Sequence, residues 1–173
     1  DERFDGELVA AVADREPSWQ FVLAGPVAKI DPAALPRRPN IHYAGQQPYA
    51  ALPALLACWD VCLLPFALND ATRFISPTKS LEYMAAELPV VSTAVPDVVG
   101  QHADVIAIAG TPGEFADRCR QALAMPAADR QRMIRRMRAK LAATSWDATA
   151  EAMRLLLRAP VRERQGVELD GAG

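Results

Sequence analysis

Ser76, Thr78, Lys79 and Glu82 have types and spacing that could hold an anion and a sugar. They lie in Phe74-Ile75-Ser76-Pro77-Thr78-Lys79-Ser80-Leu81-Glu82-Tyr83-Met84-Ala85-Ala86. Ser76 suits a helix N-cap, and Pro77 suits the first helical position, where its missing N–H costs nothing. The amides of Thr78 and Lys79 would then point out of the helix start, where the dipole favours negative charge. The Ser76 and Thr78 hydroxyls add donors, and Lys79 adds a full positive charge that can meet a diphosphate. Glu82 follows Thr78 by four residues and Lys79 by three, so it shares their face and can accept two hydroxyls of a ribose bound one turn deeper. The same spacing also suits an ordinary cap followed by an i,i+3 ion pair between Lys79 and Glu82.

These residues need a scaffold, and the apolar patterning predicts one. Phe4, Leu8, Ala11 and Val12 fall at helical spacing, closed by Pro17. Strands are expected at Trp19–Ala24, Asn40–Gly45, Asp60–Pro65, Pro89–Thr93 and Asp104–Ile108, each short, apolar and bounded by turn residues. Leu52, Leu55 and Leu56 mark a short helix. Leu81, Met84, Ala85 and Leu88 form one core stripe of the helix that follows Ser76-Pro77. Further helices are expected over 113–124, 128–143 and 146–158, the last anchored by Trp146, and disorder beyond Pro160. Short apolar strands alternating with helices predict an α/β fold, a Rossmann-like parallel sheet with helices on both faces. Such a sheet usually starts with a central strand. This chain opens on a helical pattern, so its first strand is expected to be missing and the residues to be the later part of a longer protein.

Composition narrows the function classes. The 173 residues include 51% hydrophobic and 23% charged residues, enough for one domain with a real core. A net charge of −2 gives no basic field for a polyanion, so nucleic acid is not an expected partner. Cys58, Cys62 and Cys119 lack paired spacing, which argues against a disulfide framework or a structural zinc and suits a reducing compartment. No signal-peptide pattern opens the sequence and its longest apolar runs are strand-sized, so a cytoplasmic protein is expected.

In an open α/β sheet, ligands bind at the carboxyl ends of the strands. That makes Gly25-Pro26, Tyr43–Gln47, Phe66–Ile75 and Ala94–Asp97 the candidate loops. The order Phe21–Pro26, Ile41–Gly45, Asp60–Phe66 and Ser76–Thr93 resembles the carboxyl-terminal half of a GT-B glycosyltransferase of the group 1 type, over about residues 1–158, with 159–173 as a tail. The resemblance implies a nucleotide-sugar donor domain that transfers a hexose from a nucleoside diphosphate sugar, with UDP as the expected base carrier. It implies a separate amino-terminal acceptor-binding domain as partner, and neither a metal nor another cofactor. By position, Glu82 matches the second glutamate of the family's E-x7-E motif, which binds the donor ribose. Ser76, Pro77, Thr78 and Lys79 sit at the helix start facing the diphosphate, with Lys79 as the catalytic charge that stabilises the leaving group. Gly25, Pro26, Gly45, Gln46 and Gln47 match the region lining the base. The chain departs from the pattern at Phe74, where the first glutamate would stand, and at Glu87-Leu88, which replace a usual glycine. The alternatives are a sugar-nucleotide epimerase of the same fold and a non-catalytic nucleotide-binding module.

Other residues are read more plainly. Asp70, Arg73 and Asp97 lie in candidate loops and could hold sugar hydroxyls, with Arg73 placed among the donor contacts. His42 and His102 are read as structural, and Cys58 and Cys62 as buried small apolar groups. Arg130, Arg132, Arg135, Arg136, Arg138 and Lys140, with Met133, Ile134 and Met137, make a basic amphipathic helix. A solvated face is its first reading, and a peripheral contact with anionic lipid at the inner membrane face its second.

Overall fold

Asp5 accepts a hydrogen bond from the Leu8 amide at 2.8 Å and so starts the first helix, α1 (Gly6–Arg15). Its buried residues are Leu8, Val9, Val12 and Ala13, one face of the helix. The computed structural model describes residues 1–76, 78–144 and 154. After α1 come β1 (Phe21–Ala24), β2 (Ile41–Gly45), α2 (Leu52–Leu56), β3 (Cys62–Leu64), α3 (Lys79–Ala85) and β4 (Val90–Ser92). They are followed by α4 (Pro96–His102), β5 (Ala107–Ile108), α5 (Pro112–Leu123) and α6 (Ala127–Ala143). Asn40 ties α1 to β2 by donating its side-chain amide to the Ala13 and Glu16 carbonyls at 3.1 and 3.2 Å, which occupies acceptors the helix end leaves open.

The pairings among these five strands are all parallel, with one isolated antiparallel bridge between Phe4 and Phe66, so the expected α/β class stands. The strands form two separate sheets, β1-β2 and β3-β4-β5. Two apolar clusters cover opposite faces. The first joins α1 and α5 to Phe21, Ile41 and Val91, and the second joins Met84, Val98 and Met137 to Cys62, Leu64 and Val90. Successive residues of β4 therefore serve both clusters, as a central strand covered on both faces requires. Coverage of β1 and β2 is one-sided. Phe21 and Ile41, paired on one face, are buried, while Val22, 42% exposed, and His42, also exposed, are paired on the other.

The remaining differences from the sequence reading are local. Helix α3 begins at Lys79 with Thr78 as its cap residue, not at Ser76-Pro77. The backbone is already helical at Thr78 (φ −58°, ψ −24°), and no side chain caps the end. Pro77 lies outside the described residues. The stretch Asp104–Ile106 is a turn, not strand, because the amides of Val105 and Ile106 both return to the His102 carbonyl. Helix α4 was not expected at all. Cys58 is exposed, while Cys62 and Cys119 are buried as free thiols that burial pushes up to about 12. The expected helix at 146–158 and the tail beyond lie outside the described residues.

Helix α3 ends in a backbone conformation that glycine adopts at least cost. Leu88 donates to the Tyr83 carbonyl and Glu87 to the Met84 carbonyl, the paired bonds of a Schellman end, and Glu87 takes the left-handed position at φ 59°. Glu87→Gly should therefore stabilise the fold by about 0.5–1 kcal/mol in urea unfolding, since the exposed Glu87–Arg138 ion pair that it removes contributes little. A loss of stability would show that this ion pair outweighs the backbone strain.

His102 closes α4, buried, with its Nδ1 lacking a hydrogen-bond partner among the described residues. Burial, reinforced by Lys140, holds its pKa below the ordinary value, while Asp97, Asp104 and the Gln101 backbone act in the opposite sense. The unfolded chain then binds the proton more readily than the folded one. Stability from this group is complete above the ordinary histidine pKa, near 6.5, and falls as pH drops below it. Melting temperature should decline from pH 7 to pH 5, with a shallower decline in His102→Gln. Equal slopes would remove His102 as the cause.

Candidate functional site

The loop from Pro65 to Ser76 crosses the carboxyl ends of β3 and β4, and buried hydroxyls hold it there. Thr93 Oγ1 accepts from the Phe66 amide at 3.1 Å and donates to the Phe66 carbonyl at 2.8 Å. Thr72, buried within the loop, donates to the Ala67 carbonyl and accepts from the Asn69 amide at 3.0 Å. The loop is also tied to the start of the chain. Ala67 donates to the Arg3 carbonyl and Asp5 to the Pro65 carbonyl, both at 2.9 Å.

A cleft of about 1040 Å³ opens between β1 and β3. It extends from Trp19 and Trp59, before the strands begin, to Gly25, Pro26, Pro65 and Phe66 beyond their carboxyl ends. Of the residues expected to bind a donor, Gly25, Pro26, Ser76, Thr78 and Lys79 line it. Gly45, Gln46, Arg73 and Glu82 are not in its wall. Gly45 is one bond away, since its carbonyl accepts from the Gly25 amide at 2.8 Å, and Gln47 turns back to donate to the Ala44 carbonyl at 2.6 Å. Glu82 is half-buried on α3. Arg73 lies over the Phe74 ring at 5.2 Å and borders a smaller depression with Pro96, Asp97 and Gln101.

Lys79 is exposed at the cleft mouth and has neither an ion pair nor a hydrogen bond among the described residues, so the i,i+3 pair with Glu82 is not formed. Ser76 and Thr78, which line the same cleft, are exposed as well. Tyr83 was not singled out in the sequence, although its i+4 spacing from Lys79 was the signal for it; it also lines the cleft. Burial, with Cys62 and Glu82 nearby, pushes its phenol up, so it remains a protonated donor. Elsewhere, the basic residues of α6 are partly neutralised: Arg132 pairs with Asp129, Arg138 with Glu87 at 2.5 Å and Lys140 with Asp104 at 2.7 Å. His42 is exposed and bonded to Gln20, 2.7 Å away. Among the described residues no group of three or more His, Cys, Asp or Glu side chains converges as a metal site, and no helix is long and apolar enough to cross a membrane.

Parallel strands covered by helices define a Rossmann-like α/β domain. Residues 6–125 match the family described as Glycosyl transferases group 1, and the chain belongs to that family. Over 97 residues it is 27% identical to the Bacillus subtilis protein TuaH, which carries the name of a teichuronic acid biosynthesis glycosyltransferase; the match covers 54% of this chain and 24% of TuaH. Among solved structures it is similar to a UDP-forming trehalose-phosphate synthase from Burkholderia xenovorans, with TM-score 0.65 and 17% identity over 91% of this chain and 43% of that one. It is also similar to the E. coli trehalose-6-phosphate structure bound with UDP-2-fluoro glucose, with TM-score 0.64 and 15% identity over 90% of this chain and 41% of that one. The fold is the GT-B half that these likenesses share. The chain spans about a quarter of TuaH and about two-fifths of those structures.

Proposed function

We propose that this chain is the donor-binding half of a glycosyltransferase that takes a hexose from a nucleoside diphosphate sugar, with UDP as the carrier. The observation that carries the reading is Lys79, an unpaired cation among the described residues, set at the mouth of a cleft beside the Ser76 and Thr78 hydroxyls. A diphosphate placed there meets one full charge and several donors, and those interactions strengthen as negative charge grows on the leaving group. We assign Gly25 and Pro26, which line the cleft, to the base. Glu82, Gly45, Gln46 and Arg73 stand around the cleft, and we assign Glu82 to the ribose. UDP as carrier is supported by the UDP-forming synthase and the UDP-2-fluoro glucose complex among the similar structures. The acceptor belongs to a separate amino-terminal domain, and the lysine supplies the charge that a divalent ion supplies elsewhere.

Calorimetric titration of UDP-glucose and GDP-mannose into the chain, each with EDTA and with magnesium, tests the proposal. Saturable binding of the UDP sugar in EDTA, weaker binding of the GDP sugar, and recovery of the sugar unchanged are expected. No binding under either condition would refute the donor site. Binding only with magnesium would refute the metal-free charge balance, and an epimerised sugar would establish the epimerase reading.

A further inference from the structure

Phe74 is 86% exposed, more than any other large apolar side chain among the described residues, and the turn that carries it is fixed. Thr72 is buried and bonded within the loop, Ile75 packs against the second apolar cluster, and the Ile75 amide donates to the Thr72 carbonyl at 3.3 Å. With its neighbours held inward, Phe74 is left outward. Arg73 lies over its ring, 5.2 Å from the centroid, and has neither an ion pair nor a hydrogen bond among the described residues. One exposed aromatic side chain needs no explanation by itself. Its surroundings supply one. Phe74 and Arg73 border a depression of about 480 Å³ together with Pro96, Asp97, Gly100 and Gln101 of α4, a volume within the roughly 300–1,000 Å³ of small-ligand sites. Asp97 is half-buried there. Its Oδ1 accepts from Gln101 Nε2 at 2.7 Å, and its other oxygen takes no hydrogen bond among the described residues.

We propose that this depression seats a neutral pyranose ring, with Phe74 as its platform and Arg73 and Asp97 as the pair that reads its hydroxyls. The two charges border one space and do not pair with each other, so that space offers donors, acceptors and an apolar surface with little net charge. A guanidinium only donates hydrogen bonds and a carboxylate only accepts them. An anion there meets Asp97, and a cation meets Arg73, each with the wrong sign. A pyranose avoids both conflicts: its edge hydroxyls give hydrogens to Asp97 and accept them from Arg73, while its C–H face covers the aromatic ring. Gln101, by holding Asp97, acts as a positioning residue. Ser76, at the mouth of the larger cleft, is two residues from Phe74, so their backbones lie within about 7 Å of each other. A hexose joined to a diphosphate at that mouth spans such a distance. That the ring belongs to the donor rests on the proposed function; that the depression seats a pyranose does not.

Two titrations of the parent chain and Phe74→Ala test the seat, and the exposure of Phe74 means that the variant keeps its core. In calorimetry, Phe74→Ala should bind UDP-glucose about three- to tenfold more weakly than the parent does, with UDP affinity unchanged. In NMR, methyl α-D-glucopyranoside should shift the Phe74 ring and Arg73 Nε–H signals of the parent saturably, and the Arg73 shift should vanish in Phe74→Ala. A loss confined to UDP-glucose supports the seat and assigns it to the donor's sugar. Glycoside shifts without that loss support it and assign it to a sugar from elsewhere, such as an acceptor. If UDP fails to bind the parent, the donor reading falls and the glycoside titration alone decides the seat. The proposal is overturned if the glycoside shifts neither signal and Phe74→Ala leaves UDP-glucose affinity unchanged or lowers it no more than that of UDP.

Discussion

Lys79→Ala is expected to weaken UDP binding by more than tenfold, while its melting temperature stays close to that of the parent protein. Hydrogen bonds to charged groups contribute about 1.5–3 kcal/mol, a factor of roughly 10 to 150 in affinity. The ammonium group is exposed and forms no bond within the described residues, so its removal leaves nothing buried without a partner. The two effects therefore separate: binding falls and folding does not. Lys79→Arg keeps the charge but changes its shape and reach, and it should recover part of the affinity. Calorimetry and thermal melts on the same preparations check both halves. Full UDP affinity in Lys79→Ala would move the diphosphate elsewhere, and a large fall in melting temperature would give the lysine a structural role.

Phe115→Ala should cost about 3–5 kcal/mol in denaturant unfolding, a large part of the 5–15 kcal/mol that holds a typical domain together. The residue is 1% exposed on α5, in the cluster that contains Leu8 and Val12 of α1, Phe21 of β1, Ile41 of β2 and Val91 of β4. Among the described residues no ladder hydrogen bond joins the β1-β2 sheet to the β3-β4-β5 sheet, so side-chain packing of this kind holds the two in register. A cavity under α5 should loosen that connection as well as lower stability. Phe115→Leu, which keeps much of the volume, should cost far less. A loss under about 1 kcal/mol for Phe115→Ala would mean that the two sheets are held together by something other than this cluster.

Much of the scaffold was legible because its signals are local. The stripe of α1 and the amphipathic pattern of α6 are helical periodicity read directly, and α5, expected over 113–124, spans Pro112–Leu123 with Thr111 capping it by accepting from the Glu114 amide at 3.2 Å. Helix α4 escaped because seven residues carry too little periodicity, with Val98 and His102 buried but Val99 43% exposed. Val105 and Ile106 read as strand because burial, not pairing, made them apolar. The start of α3 was misplaced because a favourable cap sequence does not require the chain to be extended where it occurs.

At the site, the cleft gathered the residues whose chemistry was most distinctive, Ser76, Thr78 and Lys79, along with Gly25 and Pro26. Glu82 and Arg73 were placed beside them by spacing and loop membership, and neither lines the cleft, because a shared helix face or loop does not fix where a side chain points. Tyr83 was passed over because an aromatic residue at helical spacing reads as core.

The central claim is that the cleft recognises a diphosphate through Lys79. Its most direct measurement is a four-way calorimetric comparison of UDP and uridine, each titrated into the parent chain and into Lys79→Ala. UDP is predicted to bind the parent at least about tenfold more tightly than uridine, and most of that advantage should disappear in the variant while uridine binds both alike. An advantage of UDP over uridine that survives the loss of Lys79 undiminished would contradict the claim.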